Sequence, residues 1–362
     1  MVVGAFPNLS KLEIVSKSGA YEILFSKPQI EEDPKNFYLV DSFFKPQLLY
    51  PTSKTIYIDS TEINKSLTGV ETVLVKLSEL GMTKNDLLVV VGGGCIQDLG
   101  TLAAAIYMRG VKWTFIPSTL AAMGDSCVGG KSSINAGGVK NLAGNFYPPE
   151  KVLIDPSFCK TLPKLEIVAG ISEIIKICFA RSAIDFSQSI KLINSENFLE
   201  SEEALNELIF LSLNAKKYFI EEDEFDVGIR KLLNFGHSFG HALESASNFG
   251  VPHGVAVLVG MIAAINHPSS IQSKETDYLK RNCLHFLKTV SDQITIPISN
   301  FSLNDFSTAI SRDKKNTHES LVLVLPGPDG LVIHHGSFKE DSINIASAAM
   351  EKTRIEVINE IC

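Results

Sequence analysis

Leu87-Leu-Val-Val-Val-Gly-Gly-Gly94, running into an alanine-rich stretch over residues 95–108, decides the fold class. Five consecutive apolar residues, three of them valines, read as a strand buried on both faces, the habit of a parallel sheet. The glycines predict a tight turn and residues 95–108 a helix. Strand, glycine turn and helix in that order form a phosphate-binding elbow, because the first N–H groups of a helix have no intrahelical partner and can face an anion. The full Gly-x-Gly-x-x-Gly pattern is absent, so the elbow alone is a weak signal. Outward from it, Phe37-Tyr-Leu-Val40 and Thr55-Ile-Tyr-Ile58 read as strands. Residues 70–80 read as a helix and residues 111–117 as another strand, the rhythm of βαβ units.

Downstream the rhythm changes. Residues 124–144 are rich in Gly, Ser, Asn and Lys and read as a functional loop. Beyond Thr161-Leu-Pro163 the pattern becomes long helical stretches at 165–180, 202–219, 232–246 and 255–265. This places a boundary near residue 165, with an α/β domain over 1–165 and a mostly α-helical domain over 166–362. No internal repeat or low-complexity segment interrupts either half.

The 362 residues, 45% hydrophobic and 20% charged, suffice for two cores in an ordinary soluble protein. A net charge of −8 argues against nucleic acid or an anionic membrane as the main partner. It leaves Lys131, Lys140, Lys216 and Arg230 as candidates for binding a small anion. The longest apolar run, 255–265, is shorter than the roughly 20 residues of a membrane span, and residues 1–17 lack a basic region followed by an apolar core. Six cysteines without a Cys-x-x-Cys pair suit reduced thiols, so a cytoplasmic protein is expected.

The chemistry concentrates in Arg230-Lys-Leu-Leu-Asn-Phe-Gly-His-Ser-Phe-Gly-His241 and His253. His237 and His241 are four residues apart and share a helix face, and His253 enters the next helix. Upstream, Glu173-Ile-Ile-Lys176 sets a carboxylate and an amine one turn apart. Glu173, His237 and His253 form a one-carboxylate, two-imidazole set that leaves positions open, as a catalytic zinc requires. His241 is either a third ligand or a donor to a phosphate. The competing reading is a core-satisfied histidine pair with His253 as a plain helix start. Asp125 reads as an orienting carboxylate or a turn cap, Asp98 as a first-turn helix carboxylate, and Lys176 as a proton carrier or a surface partner of Glu173.

Taken in order, these pieces resemble the sugar-phosphate cyclase family, above all its dehydroquinate-forming members, over roughly residues 38 to 325. The elements that carry the likeness are Glu62-Ile-Asn-Lys65, Gly92-Gly-Gly-Cys-Ile-Gln-Asp98, Arg109-Gly110, Pro117-Ser-Thr-Leu120, Asp125-Ser-Cys-Val-Gly-Gly-Lys131, Lys140-Asn141, Thr161-Leu-Pro163, Ser172-Glu-Ile-Ile-Lys176, the 230–241 stretch and His253-Gly254. The resemblance implies a Rossmann-like NAD-binding domain followed by a helical metal- and substrate-binding domain. It implies NAD held by Asp41, Glu62, Lys65, Gly93, Gly94, Asp98, Ser118, Thr119, Asp125, Lys140 and Thr161, and zinc or cobalt held by Glu173, His237 and His253. Lys216 and Arg230 look like a clamp for a substrate carboxylate. Lys131, Asn234, His241 and a lysine of the 313–315 turn, Lys314, look like the phosphate site, with Asn141 a further substrate contact and Arg109 supplied by the neighbouring subunit of a homodimer. Asp125, Lys176, Lys216 and His241 are the implied catalytic groups.

The implied reaction takes 3-deoxy-arabino-heptulosonate 7-phosphate through transient oxidation by NAD, β-elimination of phosphate, return of the hydride, ring opening and an intramolecular aldol closure, a lyase outcome. The chain departs from the family pattern at Asp41-Ser-Phe43, where Asp-x-Asn is usual, at Phe115 and Ser118, and at Ala136-Gly137, where His-Pro is usual. Two enzymatic alternatives stay open, a sister cyclase acting on sedoheptulose 7-phosphate or another sugar phosphate, and a metal- and NAD-dependent polyol dehydrogenase. A silent binding protein is a third, opposed by the intact Glu173, Lys176, His237 and His253.

Overall fold

A computed structural model of the chain describes residues 10–28, 33–47, 52–137, 139–291, 301–313, 316–317, 320–337 and 340–361. Lys314, Lys315 and Cys362 lie outside the described residues. The chain forms two compact units, the first built from residues 1–162 and 195–225, the second from 163–194 and 226–362.

The first unit is organised by a seven-stranded sheet in the order β1-β2-β9-β6-β5-β3-β4. Its strands are β1 (Lys11–Ser16), β2 (Gly19–Phe25), β3 (Asn36–Asp41), β4 (Thr55–Ile58), β5 (Leu87–Gly92), β6 (Lys112–Pro117) and β9 (Lys151–Ile154). Only the β1–β2 pairing is antiparallel. The apolar run of β5 is central and buried, with Val90 opposite Leu39 on one side and Phe115 on the other. Helices α1 (Leu67–Glu79) and α2 (Gly94–Ile106) follow β4 and β5. Gly100 lets α2 lie directly on the sheet, since a Cβ there would sit 2.6 Å from Val90 Cγ2. The stretch read as a loop at 124–144 overlaps a π-helical turn, Ala122–Ser126, and contains a small hairpin of β7 (Ile134–Ala136) and β8 (Val139–Ala143).

Residues 195–225, assigned by their helical rhythm to the second half, belong to the first unit. Their helix α5 (Glu202–Glu222) runs against the free edge of the sheet, where strand N–H and C=O groups need partners. Val15 N–H donates to Glu221 Oε1 at 2.8 Å, Lys217 Nζ to Glu13 O at 2.6 Å, and Ser18 N–H to Glu224 Oε2 at 3.0 Å. Amphipathic periodicity announces such a helix but not which sheet it will cover.

The second unit is mainly helical: α3 (Lys164–Arg181), α4 (Ala183–Ile193), α6 (His237–Ala246), α7 (His253–Asn266), α8 (Lys274–Ser291), α9 (Leu303–Ser311) and α10 (Glu340–Ile361), with a hairpin of β10 (Ser320–Gly327) and β11 (Gly330–Ser337). The apolar run at 255–265 is its central helix, α7, buried all round by α3, α6, α8 and α10. The helix expected over 232–246 is broken. A 3-10 segment, Ile229–Asn234, ends before Gly236, whose φ of +78° is left-handed, and α6 begins at His237. Glycine is required there because a Cβ would meet Met261 Cγ at 2.8 Å and Met261 N at 2.9 Å. No described helix is long and apolar enough to cross a membrane.

Candidate active site

Three helix segments of the second unit are drawn together by missing side chains. A Cβ on Gly260 would lie 2.0 Å from Gly236 O, on Gly240 2.9 Å from Ala256 O, and on Gly254 2.2 Å from Ala169 Cα. These contacts press α6 onto α7 and α7 onto α3, and Gly236, Gly240 and Gly254 each adjoin one of the three histidines. The rings converge as a result, with centroid separations of 5.3 Å for His237–His241, 5.4 Å for His237–His253 and 5.7 Å for His241–His253. One nitrogen from each lies within 4.8 Å of the others.

Glu173 faces this cluster from α3, its Oε1 3.6 Å from His237 Nε2 and 3.3 Å from His253 Nε2. Its other oxygen is ion-paired with Lys176, one turn on, and both residues are buried. Burial opposes ionisation of Glu173, but Lys176 and His253 outweigh it and hold the carboxyl well below the usual carboxylate range. For His253 burial disfavours the proton, and the Glu173 and Glu244 carboxylates reverse that and push its pKa up. His237 Nδ1 lies 3.3 Å from Phe235 O, so the tautomer with its proton on Nδ1 leaves the Nε2 lone pair facing Glu173. Two imidazole nitrogens and an ionised carboxylate oxygen suit a divalent ion such as zinc or cobalt with a coordination position left open. His241 is close enough to be counted among the possible ligands. Lys176, which could have been a surface lysine, is enclosed with the cluster.

The first unit gathers a different set at the carboxyl ends of its parallel strands, where open α/β sheets bind nucleotides. Gly93 caps α2 without any side-chain bond to its first N–H groups. At Gly94 a Cβ would meet nothing within 4 Å, so room is left beside the helix start. Gly93 is crowded instead, a Cβ there lying 2.9 Å from Thr119 Cγ2, and Ser118 N–H donates to Gly92 O at 3.0 Å, which seats Ser118-Thr119 against the elbow. Asp41 ends β3, accepts from Phe43 N–H at 3.1 Å, and has its pKa raised by burial. Lys65 and Asp98 form an ion pair at 2.8 Å, Asp98 accepts from Ser133 N–H at 3.0 Å, and Glu62 accepts from Asn135 Nδ2 at 2.9 Å. Asp98 is therefore more than a helix-dipole carboxylate. An uncapped helix start with open space, flanked by a carboxylate at a strand end, fits a dinucleotide such as NAD.

Lys216 of α5 grips the π-helical turn. Its Nζ is 2.6 Å from Asp125 Oδ1, 2.6 Å from Asp125 O and 3.3 Å from Val128 O, while Ser212 Oγ donates to Gly124 O at 2.7 Å. The turn and the lysine thus set each other's position.

Residues 55–169 match the 3-dehydroquinate synthase N-terminal family and residues 170–316 the 3-dehydroquinate synthase C-terminal family. A 3-dehydroquinate synthase of Saccharolobus solfataricus is 33% identical over 92% of this chain and 89% of its own length. The chain belongs to the 3-dehydroquinate synthase family. One from Campylobacter jejuni is 32% identical over 92% of the chain and 97% of its own length. Among solved structures, a 2-deoxy-scyllo-inosose synthase complexed with carbaglucose-6-phosphate, NAD+ and Co2+ shares the fold. Its TM-score is 0.79 at 20% identity, covering 95% of this chain and 99% of that one. The resemblance read from the ordered motifs is borne out, and so is the fold class.

The remaining family positions are placed as follows. Arg230 is buried in the 3-10 segment before α6, and Asn234 Nδ2 donates to Lys231 O at 3.0 Å. Arg230 and Lys216 belong to different units. Lys131 is exposed with its Nζ 5.9 Å from the Phe146 ring centre, and Lys140 is exposed on β8. Asn141 has a φ of +53° and donates its N–H to Asn135 Oδ1 at 2.9 Å. Thr161 closes a 3-10 turn, and Arg109, exposed, has a φ of +65°. The described thiols are packing groups: burial pushes Cys95 up to about 11 and Cys127 and Cys159 to about 12. One group was missed in the sequence, Glu244, whose Oε2 is 3.1 Å from His253 Nδ1. Its spacing from His237 and His241, seven and three residues, is the signal that could have found it.

Proposed function

We propose that the chain catalyses the 3-dehydroquinate synthase reaction, converting 3-deoxy-arabino-heptulosonate 7-phosphate to 3-dehydroquinate and phosphate in the shikimate pathway, with NAD and zinc or cobalt as resident cofactors. The observation that carries this reading is the convergence of Glu173, His237 and His253 in a member of this family. When bound, NAD supplies a transient oxidation and returns the hydride, and the metal supplies positive charge for the oxygen it faces.

The chain's own groups then have defined tasks. Asp41, Glu62, Lys65, Gly93, Gly94, Asp98, Ser118, Thr119, Asp125, Lys140 and Thr161 bind the dinucleotide. Lys176 holds a proton on Nζ beside Glu173 and exchanges it with the substrate oxygen. Lys216 orients Asp125 and, with Arg230, binds the substrate carboxylate through charge-assisted hydrogen bonds. Lys131, Asn234, His241 and Lys314 bind the phosphate, with Arg109 contributed by a second copy in a homodimer, and Asn141 is a further substrate contact. The departing phosphate removes the acidic ring proton. Reduced thiols and a soluble biosynthetic role suit the cytoplasm.

Phosphate release is compared for 3-deoxy-arabino-heptulosonate 7-phosphate and sedoheptulose 7-phosphate, with absorbance of NADH followed in parallel. Release from the acidic substrate without accumulating NADH is expected. Preference for sedoheptulose 7-phosphate would make the chain a sister cyclase, and stoichiometric NADH from a polyol would make it a dehydrogenase.

A further inference from the structure

We infer that Glu244 is the positioning residue for His253, fixing its tautomer and ring orientation through Nδ1 so that Nε2 faces the metal; this rests on the metal reading above. His253 has the weakest local support in the cluster. It is the first residue of α7, follows Pro252, and leaves 48% of its side chain exposed against 13% for His237, so its surroundings hold the ring less firmly. Two carboxylates address its two nitrogens from opposite sides, Glu173 at Nε2 (3.3 Å) and Glu244 at Nδ1 (3.1 Å).

A metal-binding imidazole is neutral and carries a single ring proton, so an acceptor at Nδ1 puts that proton there and frees Nε2. His237 is treated in the same way by a backbone carbonyl, Phe235 O at 3.3 Å from its Nδ1. Both imidazoles thus meet an oxygen acceptor at the same nitrogen, one from the main chain and one from Glu244. Glu244 is itself well placed for this task. Its side chain is only 11% exposed, and its main-chain oxygen accepts from Phe249 N–H at 2.7 Å and Ser247 Oγ at 3.0 Å, which anchors the end of α6.

The test strips the full chain of metal and titrates it with Zn2+ against a chelator, and with Co2+ while recording the visible d–d spectrum. Glu244→Ala is expected to weaken both metals about 10- to 100-fold and to alter the cobalt spectrum. Glu244→Gln, which keeps an acceptor oxygen for Nδ1 but not the charge, is expected to retain the spectrum and lose about tenfold or less. On a His253→Ala background, Glu244→Ala should cost nothing further, because its effect runs through that ring. Wild-type affinity and spectrum in Glu244→Ala would overturn the inference, as would a loss that adds fully to that of His253→Ala. Should the alanine variant not fold, Glu244→Leu, which fills the space without an acceptor oxygen, takes its place, and wild-type metal affinity and spectrum there overturn the inference. A wild-type chain that binds neither metal would instead remove the metal reading itself.

Discussion

An added Cβ at Gly94, in the first unit, would meet nothing within 4 Å, whereas at Gly260, in the second, it would lie 2.0 Å from a backbone oxygen. At Gly94 the first unit uses the missing side chain to leave room beside a helix start. The second uses it to bring backbones together until side chains from three helices meet. Their charges differ in the same way. Lys65–Asp98 and Lys216–Asp125 are cation–carboxylate pairs that fix loops, while Glu173 divides its oxygens between Lys176 and two imidazoles. On the proposed reading, a nucleotide site is thus made by reserving space, and a metal site by crowding.

The strongest challenge to that contrast is Glu173→Gln. Removing the ionised oxygen is expected to lower kcat for phosphate release on the order of 1,000-fold and to abolish stoichiometric zinc binding, since several kcal/mol of electrostatic stabilisation depend on the metal. Near-normal turnover with zinc still bound would show that the histidines suffice without it.

Next in size is Gly260→Ala. The methyl would meet Gly236 O, Gly240 N and Gly236 C, all main chain, so unfolding free energy should fall by about 3 kcal/mol or more in a denaturant titration. Gly94→Ala should behave oppositely, leaving Tm unchanged or slightly higher while weakening NAD binding about tenfold by calorimetry. Loss of stability at Gly94 together with tolerance at Gly260 would invert the comparison.

The smallest effect concerns the far end of α7. His267 is buried beside His334, its Nδ1 accepts from Ser269 N–H at 3.2 Å, and burial, with His334, lowers its pKa to about 4. In the unfolded chain a histidine takes up its proton near pH 6.5, while in the folded chain His267 refuses it until about pH 4. Between those values the unfolded state binds more protons, so stability falls as pH drops through that window and is intact above it. Thermal melts of wild type and His267→Asn, which keeps an acceptor, should diverge by a few degrees between pH 7 and 4.5. Parallel curves would remove His267 as the cause.

Legibility in the sequence followed the range of the interactions. Leu87 to Val91 declared a buried strand because every side chain is apolar, and the neighbouring glycines declared the turn. The candidate site was legible as a grouping through residue type and spacing at Glu173, Lys176, His237 and His253, which the fold brings together. The break at Gly236 was not, because Met261 on another helix imposes it on a stretch whose local pattern is helical throughout. Lys216 was legible as a cation but not as the anchor of the Asp125 turn, which lies 91 residues away in the chain. The return of α5 to the first sheet was hidden for the same reason.

The account turns on one divalent ion held by three side chains, and anomalous scattering from a crystal of the cobalt-loaded chain tests it most directly. A single peak about 2.0–2.2 Å from Glu173, His237 Nε2 and His253 Nε2 is the predicted result. A peak elsewhere, or one that omits Glu173, would contradict it.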